Sequence, residues 1–180
     1  MIQIKVLKFF LENPYNEVYL RELARRLKLS GFAAKKYLDL FVKEGLVKAE
    51  KRANLRYFKA DVNNLCFRYI KIAFNLNQLL KSGLMGFLKE NIANLSAIVL
   101  FGSMAKGEDD LKSDVDLLII GKSKHLNLDD FEDTLNRKIT IHVFSWSDWN
   151  KKVKDDNAFY YEVISHGISL YGELPLIKWK

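Results

Sequence analysis

Two carboxylates separated by one residue, Asp114-Val115-Asp116, are the first place in this sequence where chemistry can be read from residue type and spacing. On a strand, residues two apart point to the same side. Both acids then share one face at the head of the apolar run Leu117-Leu118-Ile119-Ile120. Two negative charges so placed repel each other unless a cation lies between them. Oxygen ligands of this kind suit Mg²⁺, which commonly takes one or two carboxylates plus substrate phosphates. Ten residues separate Gly102-Ser103 from Asp114. Glycine lets the backbone approach a ligand closely, Ser103 offers a hydroxyl, and amides at a helix start favour phosphate. A triphosphate bridging the Gly-Ser turn and a metal on Asp114 and Asp116 is the chemistry this spacing implies.

Two strands are needed to position these groups. Ala97-Ile98-Val99-Leu100-Phe101 is a short, fully apolar run rich in β-formers, and 113–120 is a second buried strand with the two acids at its start. The run Leu-Phe-Gly-Ser-x-Ala-x-Gly, followed by Ser-Asp-x-Asp-Leu, resembles the signature of the polymerase-beta-like nucleotidyltransferases, and of their minimal branch in particular. The resemblance covers roughly residues 90–172. It implies transfer of a nucleoside monophosphate from an NTP to an acceptor, with pyrophosphate leaving and Mg²⁺ or Mn²⁺ as cofactor. Carried over by residue, Gly102 and Ser103 hold the phosphates, Lys106 helps with phosphate charge, and Asp114 and Asp116 bind the metals. The family usually adds a third carboxylate on a later strand. The matching run here, residues 137–144, contains none. Its alternation puts Ile139, Ile141 and Val143 on one side and Thr140, His142 and Phe144 on the other. The position facing the metals is Thr140 or His142. His142 serves as a base or ligand, since imidazole does either, or is an ordinary strand histidine. Glu108, Asp109 and Asp110 are the other source of a carboxylate. Nucleotide binding without turnover therefore stays open.

Charge separates the first third from the rest. Residues 1–61 hold 14 Lys and Arg against 7 Asp and Glu, and the remainder holds 15 of each, so the net +7 lies entirely in that third. Such asymmetry points to a polyanion partner, most simply nucleic acid. Ile4, Leu7, Lys8 and Leu11, with Val6 and Phe10 nearby, have helical spacing that Asn13-Pro14 ends. After the extended piece Glu17-Val18-Tyr19, a second helix puts Leu20, Leu23, Ala24 and Leu27 on one face. Lys28-Leu29 makes a turn, and Ser30 is an N-cap for a third helix over 31–44. Ala34, Leu38, Phe41 and Val42 form its inner face, and Gly45 ends it. Strand-like runs at 46–50 and 55–59 are joined by Lys51-Arg52-Ala53-Asn54, a hairpin with a basic tip. This order, with Tyr19-Leu20-Arg21-Glu22-Leu23-Ala24 and Lys43-Glu44-Gly45-Leu46-Val47, resembles the winged-helix branch of the helix-turn-helix proteins. The resemblance implies double-stranded DNA as partner. Ser30, Phe32, Lys35 and Lys36 would meet base edges, while Lys51, Arg52 and Arg56 would meet phosphates. A winged helix used only for protein contact or dimerisation is the other reading.

Between these parts, Leu65, Tyr69, Ile72, Leu76, Leu79 and Leu80 recur at helical spacing, with a break at Ser82-Gly83. The face is either internal or pairs two chains, and a homodimer is the default expectation. The expected architecture is α+β: an N-terminal winged helix-turn-helix at 1–61, a helical connector at 62–90, and a small mixed-sheet nucleotidyltransferase domain at 91–180. In the last part, helices are expected over 128–135, 148–154 and 157–165, and an edge strand over 167–172. His166 is assigned to packing and His125 to no role. The single cysteine, Cys66, excludes an intramolecular disulfide and is expected in a core. No apolar run reaches the ~20 residues that span a bilayer. The N-terminal residues lack a signal-peptide pattern, so a cytoplasmic protein without a membrane partner is expected. The competing functional class is a non-catalytic regulator, antitoxin-like, that binds DNA and senses a nucleotide or a partner protein.

Overall fold

The chain's computed structural model describes residues 2–122 and 126–177, so His125 lies outside the described residues. Two compact units divide it, Met1–Lys71 and Ile72–Lys180.

The first unit begins with α1 (Ile2–Glu12), β1 (Val18–Tyr19), α2 (Leu20–Leu27) and α3 (Gly31–Lys43), followed by β2 (Val47–Arg52) and β3 (Leu55–Ala60). Beyond α1, the Asn13 side chain donates to the Phe9 carbonyl (3.0 Å) ahead of Pro14. The buried face of α1 is Val6, Phe9, Phe10 and Leu11, whereas Ile4 is 69% exposed. The apolar stripe expected through Ile4 is therefore rotated. Burying the two phenylalanines removes more apolar surface than burying Ile4. Lys28 closes α2 in the left-handed conformation, and the Ser30 hydroxyl accepts from the Ala33 amide (3.1 Å) to start α3. Ala34, Leu38 and Phe41 are the buried face of α3. The three strands form an antiparallel sheet in the order β1-β3-β2. Arg52 pairs with Leu55, so the hairpin loop is only Ala53-Asn54. The strands thus run further than the sequence suggested, and Lys51 and Arg52 sit on β2 rather than in the loop. A two-residue loop needs a residue with positive φ, which Ala53 supplies (φ 50°).

Residues 62–90 contain α4 (Leu65–Lys81) and most of α5 (Leu84–Asn91), with the division between the units inside α4. The fully buried stripe of α4 is Phe67, Lys71, Asn75 and Leu79. Leu65, Tyr69 and Leu80, part of the face expected to be internal or to pair two chains, are all more than 60% exposed. Periodicity counts only apolar residues, and two of the four buried positions are polar. Each has a partner: Lys71 Nζ donates to the Leu11 carbonyl, and Asn75 Nδ2 to the Met104 carbonyl. Cys66, expected in a core, is exposed.

The second unit continues with β4 (Ala93–Phe101), α6 (Gly102–Lys106), β5 (Val115–Lys122), α7 (Asp129–Leu135), β6 (Ile139–Phe144), α8 (Trp146–Asp155), α9 (Asn157–His166) and β7 (Ile168–Gly172). The sheet order is β6-β5-β4-β7, with β7 at an edge. β4 runs antiparallel to β5 and β7, and β5 runs parallel to β6 with α7 in the crossover. The central strands β4 and β5 are covered on both faces, which explains their continuous apolar runs. On one face Ile98, Leu100, Leu117 and Ile119 pack with Leu79, Leu84 and Leu88 from α4 and α5. On the other, Val99, Leu118 and Ile120 pack with Trp149, Val153, Tyr160 and Val163 from α8 and α9. Among the described residues, no helix is long and apolar enough to cross a membrane.

Candidate functional site

Phe101, the last residue of β4, pairs with Asp116 on β5, and this register brings the Gly102 turn against the carboxylate. Gly102 has φ +71°, and a Cβ there would lie 2.5 Å from Asp116 Oδ2. The residue must therefore lack a side chain on two counts: its left-handed backbone and the acid beside it. Phe101 is the N-cap of α6 and supplies no side-chain acceptor to the first amides of that short helix. Asp116 is half-buried on β5. Asp114 lies one residue before the strand and is exposed, so the pair is not carried wholly on a strand as the spacing implied. Burial, and then the nearby charge of Asp114, push the Asp116 carboxyl above its ordinary value, while His142 pulls the other way. The two acids thus interact, and a cation held between them would relieve their repulsion.

Parallel pairing places Thr140 opposite Asp116 and His142 opposite Leu118. Thr140 is thus the β6 residue directly beside Asp116, and His142 is one same-side position further along. The His142 ring packs against Phe101 (5.7 Å between centroids) and Phe159 (5.3 Å). The alternation expected for β6 is present: Ile139, Ile141 and Val143 join the α4/α5 face, and Phe144 joins the other. Lys106, at the end of α6, reaches Glu162 of α9 (3.0 Å). His166, also on α9, lies 3.5 Å from Glu162.

The loop acids do not supply the missing carboxylate. Asp109 is fully buried and pairs with Arg137 (2.8 Å), and Asn75 donates to its other oxygen (2.6 Å). Asp110 accepts from the Lys112 amide (2.8 Å) and the Ser113 hydroxyl (3.1 Å), and these hydrogen bonds hold its carboxyl below the ordinary range. Glu108 is exposed, 4.0 Å from Lys106. Among the described residues, no group of three or more His, Cys, Asp and Glu is arranged to hold a metal ion. Asp114 and Asp116, which interact, are the pair of carboxylates that could hold a divalent cation. Two carboxylates suit Mg²⁺, which retains waters and takes its remaining oxygens from substrate phosphate. Arg137 and Asn75 escaped the sequence reading, because an ion pair across 28 residues leaves no local pattern.

On the first unit, Ser30, Phe32, Lys35 and Lys36 lie on the exposed side at the start of α3, and Phe32 is 81% exposed. Lys51, Arg52 and Arg56 are exposed on the hairpin. Two of these three are already engaged. Arg52 forms a fork with Glu17 (2.7 and 3.0 Å) and a further bond to Glu50 (2.6 Å). Arg56 bonds Asp39 on α3 (2.7 Å). The Arg52 hydrogen bonds hold the carboxyls of Glu17 and Glu50 below their ordinary value.

Comparison with known families decides what the second unit is. The profile of the polymerase beta nucleotidyltransferase family matches residues 84–174. The chain belongs to that family. The matched span takes in the Gly102 turn, both acids and the whole four-stranded sheet of the nucleotidyltransferase domain. Domains of this family generally use a divalent metal and an NTP. Two solved structures resemble the chain more distantly. A toxin–antitoxin structure with AMP-PNP is 21% identical, covers 54% of this chain and 73% of its own, and has a TM-score of 0.36. A structure of a mutant of the toxin–antitoxin MntA-HpeT is 20% identical, with coverages of 52% and 72% and the same TM-score. Neither likeness is strong enough to carry an argument. No curated protein matches the chain.

Proposed function

We propose that this nucleotidyltransferase domain transfers a nucleoside monophosphate from an NTP to an acceptor hydroxyl, and that the first unit is a winged helix that binds double-stranded DNA. The observation that carries the first half is the contact of the Gly102 turn with Asp116. It puts a close-approach backbone beside a half-buried acid whose charge needs a cation. In the reaction the acceptor oxygen forms a bond to the α-phosphorus, and the bond from that phosphorus to the bridging oxygen breaks. Pyrophosphate leaves, and the hydroxyl proton passes to a base. Gly102 and Ser103 hold the phosphates, and Lys106 exchanges its Glu162 partner for phosphate oxygen. His142 is the candidate proton acceptor. Asp114 and Asp116 would hold Mg²⁺ or Mn²⁺, which when bound neutralises charge developing on the phosphates.

A second reading, nucleotide binding without turnover by a DNA-bound regulator with a protein partner, is favoured by one observation. The β6 residue beside Asp116 is Thr140, not an acid. Incubation with α-labelled NTPs, Mg²⁺ or Mn²⁺ and cell extract, beside an Asp114→Ala/Asp116→Ala variant, separates the two. Label transfer that disappears in the variant establishes the transferase. Nucleotide binding without transfer makes the regulator primary, and absence of both removes the nucleotide reading.

The DNA half rests on the exposed start of α3, the basic hairpin and the concentration of net charge in residues 1–61. Ser30, Phe32, Lys35 and Lys36 are the base-facing set, and Lys51, Arg52 and Arg56 the phosphate-facing set. Binding to duplex DNA that falls steeply with salt supports it. Affinity that does not change with salt, or no binding at all, leaves the first unit as a protein-contact module.

A further inference from the structure

Residues 107–114 join the Gly102 turn to Asp114, and one side chain ties both ends of this loop. Arg137 Nη2 donates to Asp109 Oδ2 (2.8 Å), and Arg137 Nη1 donates to the Ser113 carbonyl (2.9 Å), the residue immediately before Asp114. The Arg137 side chain is 5% exposed and that of Asp109 is fully buried. Asn75 on α4 donates to Asp109 Oδ1 and to the Met104 carbonyl inside α6. The next residue, Lys138, accepts through its carbonyl from the Val115 amide (2.8 Å). The backbone on both sides of Asp114 is thus held by the segment that leads into β6, and the helix carrying the Gly-Ser turn is tied to the same buried acid.

A buried ion pair is a poor way to gain stability, because desolvation offsets much of the attraction. The planar fork does what an apolar side chain could not: it holds two acceptors at a set separation. We propose that Arg137, backed by Asp109, is a positioning residue that sets the place of Asp114 relative to Asp116 for divalent-cation binding. This rests on the reading of the two acids as metal ligands. Arg137 touches neither acid side chain in this role; it acts through the Ser113 carbonyl.

The test is Mn²⁺ binding by the full chain, followed by the electron-spin signal of free Mn²⁺, alone and with a non-hydrolysable ATP analogue. Arg137→Lys keeps a cation near Asp109 but cannot bond both acceptors in a fork. The expected result is a loss of Mn²⁺ affinity of about 10- to 100-fold, the range typical of groups that orient metal ligands. Leu88→Ala, a truncation of the α5 core, serves as the benchmark for lost stability alone. It is expected to lower Tm at least as much and to leave Mn²⁺ binding unchanged. If Arg137→Lys does not fold, Asp109→Asn carries the same test, since it can still accept from Asn75. Mn²⁺ affinity in the Arg137 variant equal to that of the unaltered protein overturns the proposal. So does a parallel loss in Leu88→Ala, which would show that stability alone is being read. If the unaltered protein binds no Mn²⁺ under either condition, the reading of the acid pair fails and the proposal goes with it.

Discussion

Asp116 is a carboxylate whose charged form the fold disfavours. Its carboxyl is raised above the ordinary aspartate value by burial and by Asp114. The folded chain therefore holds the Asp116 proton more tightly than the unfolded chain does. This contribution to stability is fully present below the ordinary aspartate pKa and is lost as pH rises through the raised value. Asp116→Asn removes the charge and is expected to raise Tm at neutral pH without metal by about 1–3 °C, while abolishing Mn²⁺ binding. The gain should shrink as pH falls below the carboxylate range. A Tm that drops at pH 7 in a calorimetric scan would contradict the account. At Gly102 the effect has the opposite sign. Gly102→Ala forces a Cβ into the left-handed region and to within 2.5 Å of Asp116 Oδ2. A loss of about 1–3 kcal/mol is expected from backbone strain, together with loss of nucleotide-dependent transfer. Denaturant unfolding measures the first, and the labelled-NTP assay the second.

The hairpin β2–β3 and helix α3 present the basic face of the first unit, yet Arg52 and Arg56 already have carboxylate partners there. In the proposed DNA complex, phosphate would have to displace Glu17, Glu50 and Asp39 to reach them. If the first unit binds DNA as proposed, the carboxylates compete with phosphate while adding little to the fold, since exposed ion pairs contribute little to stability. The double substitution Glu17→Gln/Glu50→Gln is expected to tighten duplex binding several-fold and leave Tm unchanged. Fluorescence anisotropy against salt concentration checks this. Weaker binding in the variant would mean that the carboxylates orient Arg52 toward DNA and do not compete for it. In the second unit, the order β6-β5-β4-β7 puts β5, which carries Asp116 and directly follows Asp114, between two neighbours. One neighbour supplies the Gly102 turn and the other supplies Thr140 and His142.

For the whole molecule, the excess positive charge and the family match fall in different units. The net +7 of residues 1–61 is unmatched by the rest of the chain, where the charges balance. The family match at residues 84–174 belongs to the second unit. Asp114→Ala/Asp116→Ala is therefore expected to leave DNA affinity and its salt slope unchanged. On the proposed function, Lys35→Ala/Lys36→Ala/Lys51→Ala is expected to weaken duplex binding, to reduce that slope by about 1 through the phosphate-facing Lys51, and to leave nucleotide transfer without DNA unchanged. Salt titrations and transfer assays on both variants check the separation. A loss of transfer in the lysine variant would show that the two activities are not independent.

Local features of the sequence determined much of this protein. Ser30 as a cap, the left-handed Lys28 turn and the alternation of β6 depend on neighbours a few residues apart, and the chain alone specifies them. The Gly-Ser turn and the acid pair were legible for the same reason: their spacing is short and their chemistry distinctive. What only the tertiary structure decided rests on partners distant in sequence. The buried face of α1 depended on what the phenylalanines could pack against. The inner stripe of α4 held Lys71 and Asn75 because Leu11, Met104 and Asp109 offered them acceptors. Asp109 looked like a loop acid free to bind metal, and it was Arg137, 28 residues on, that made it part of the scaffold. A buried polar group is stable only when its hydrogen bonds are met, and which groups meet them is settled when the distant segments come together.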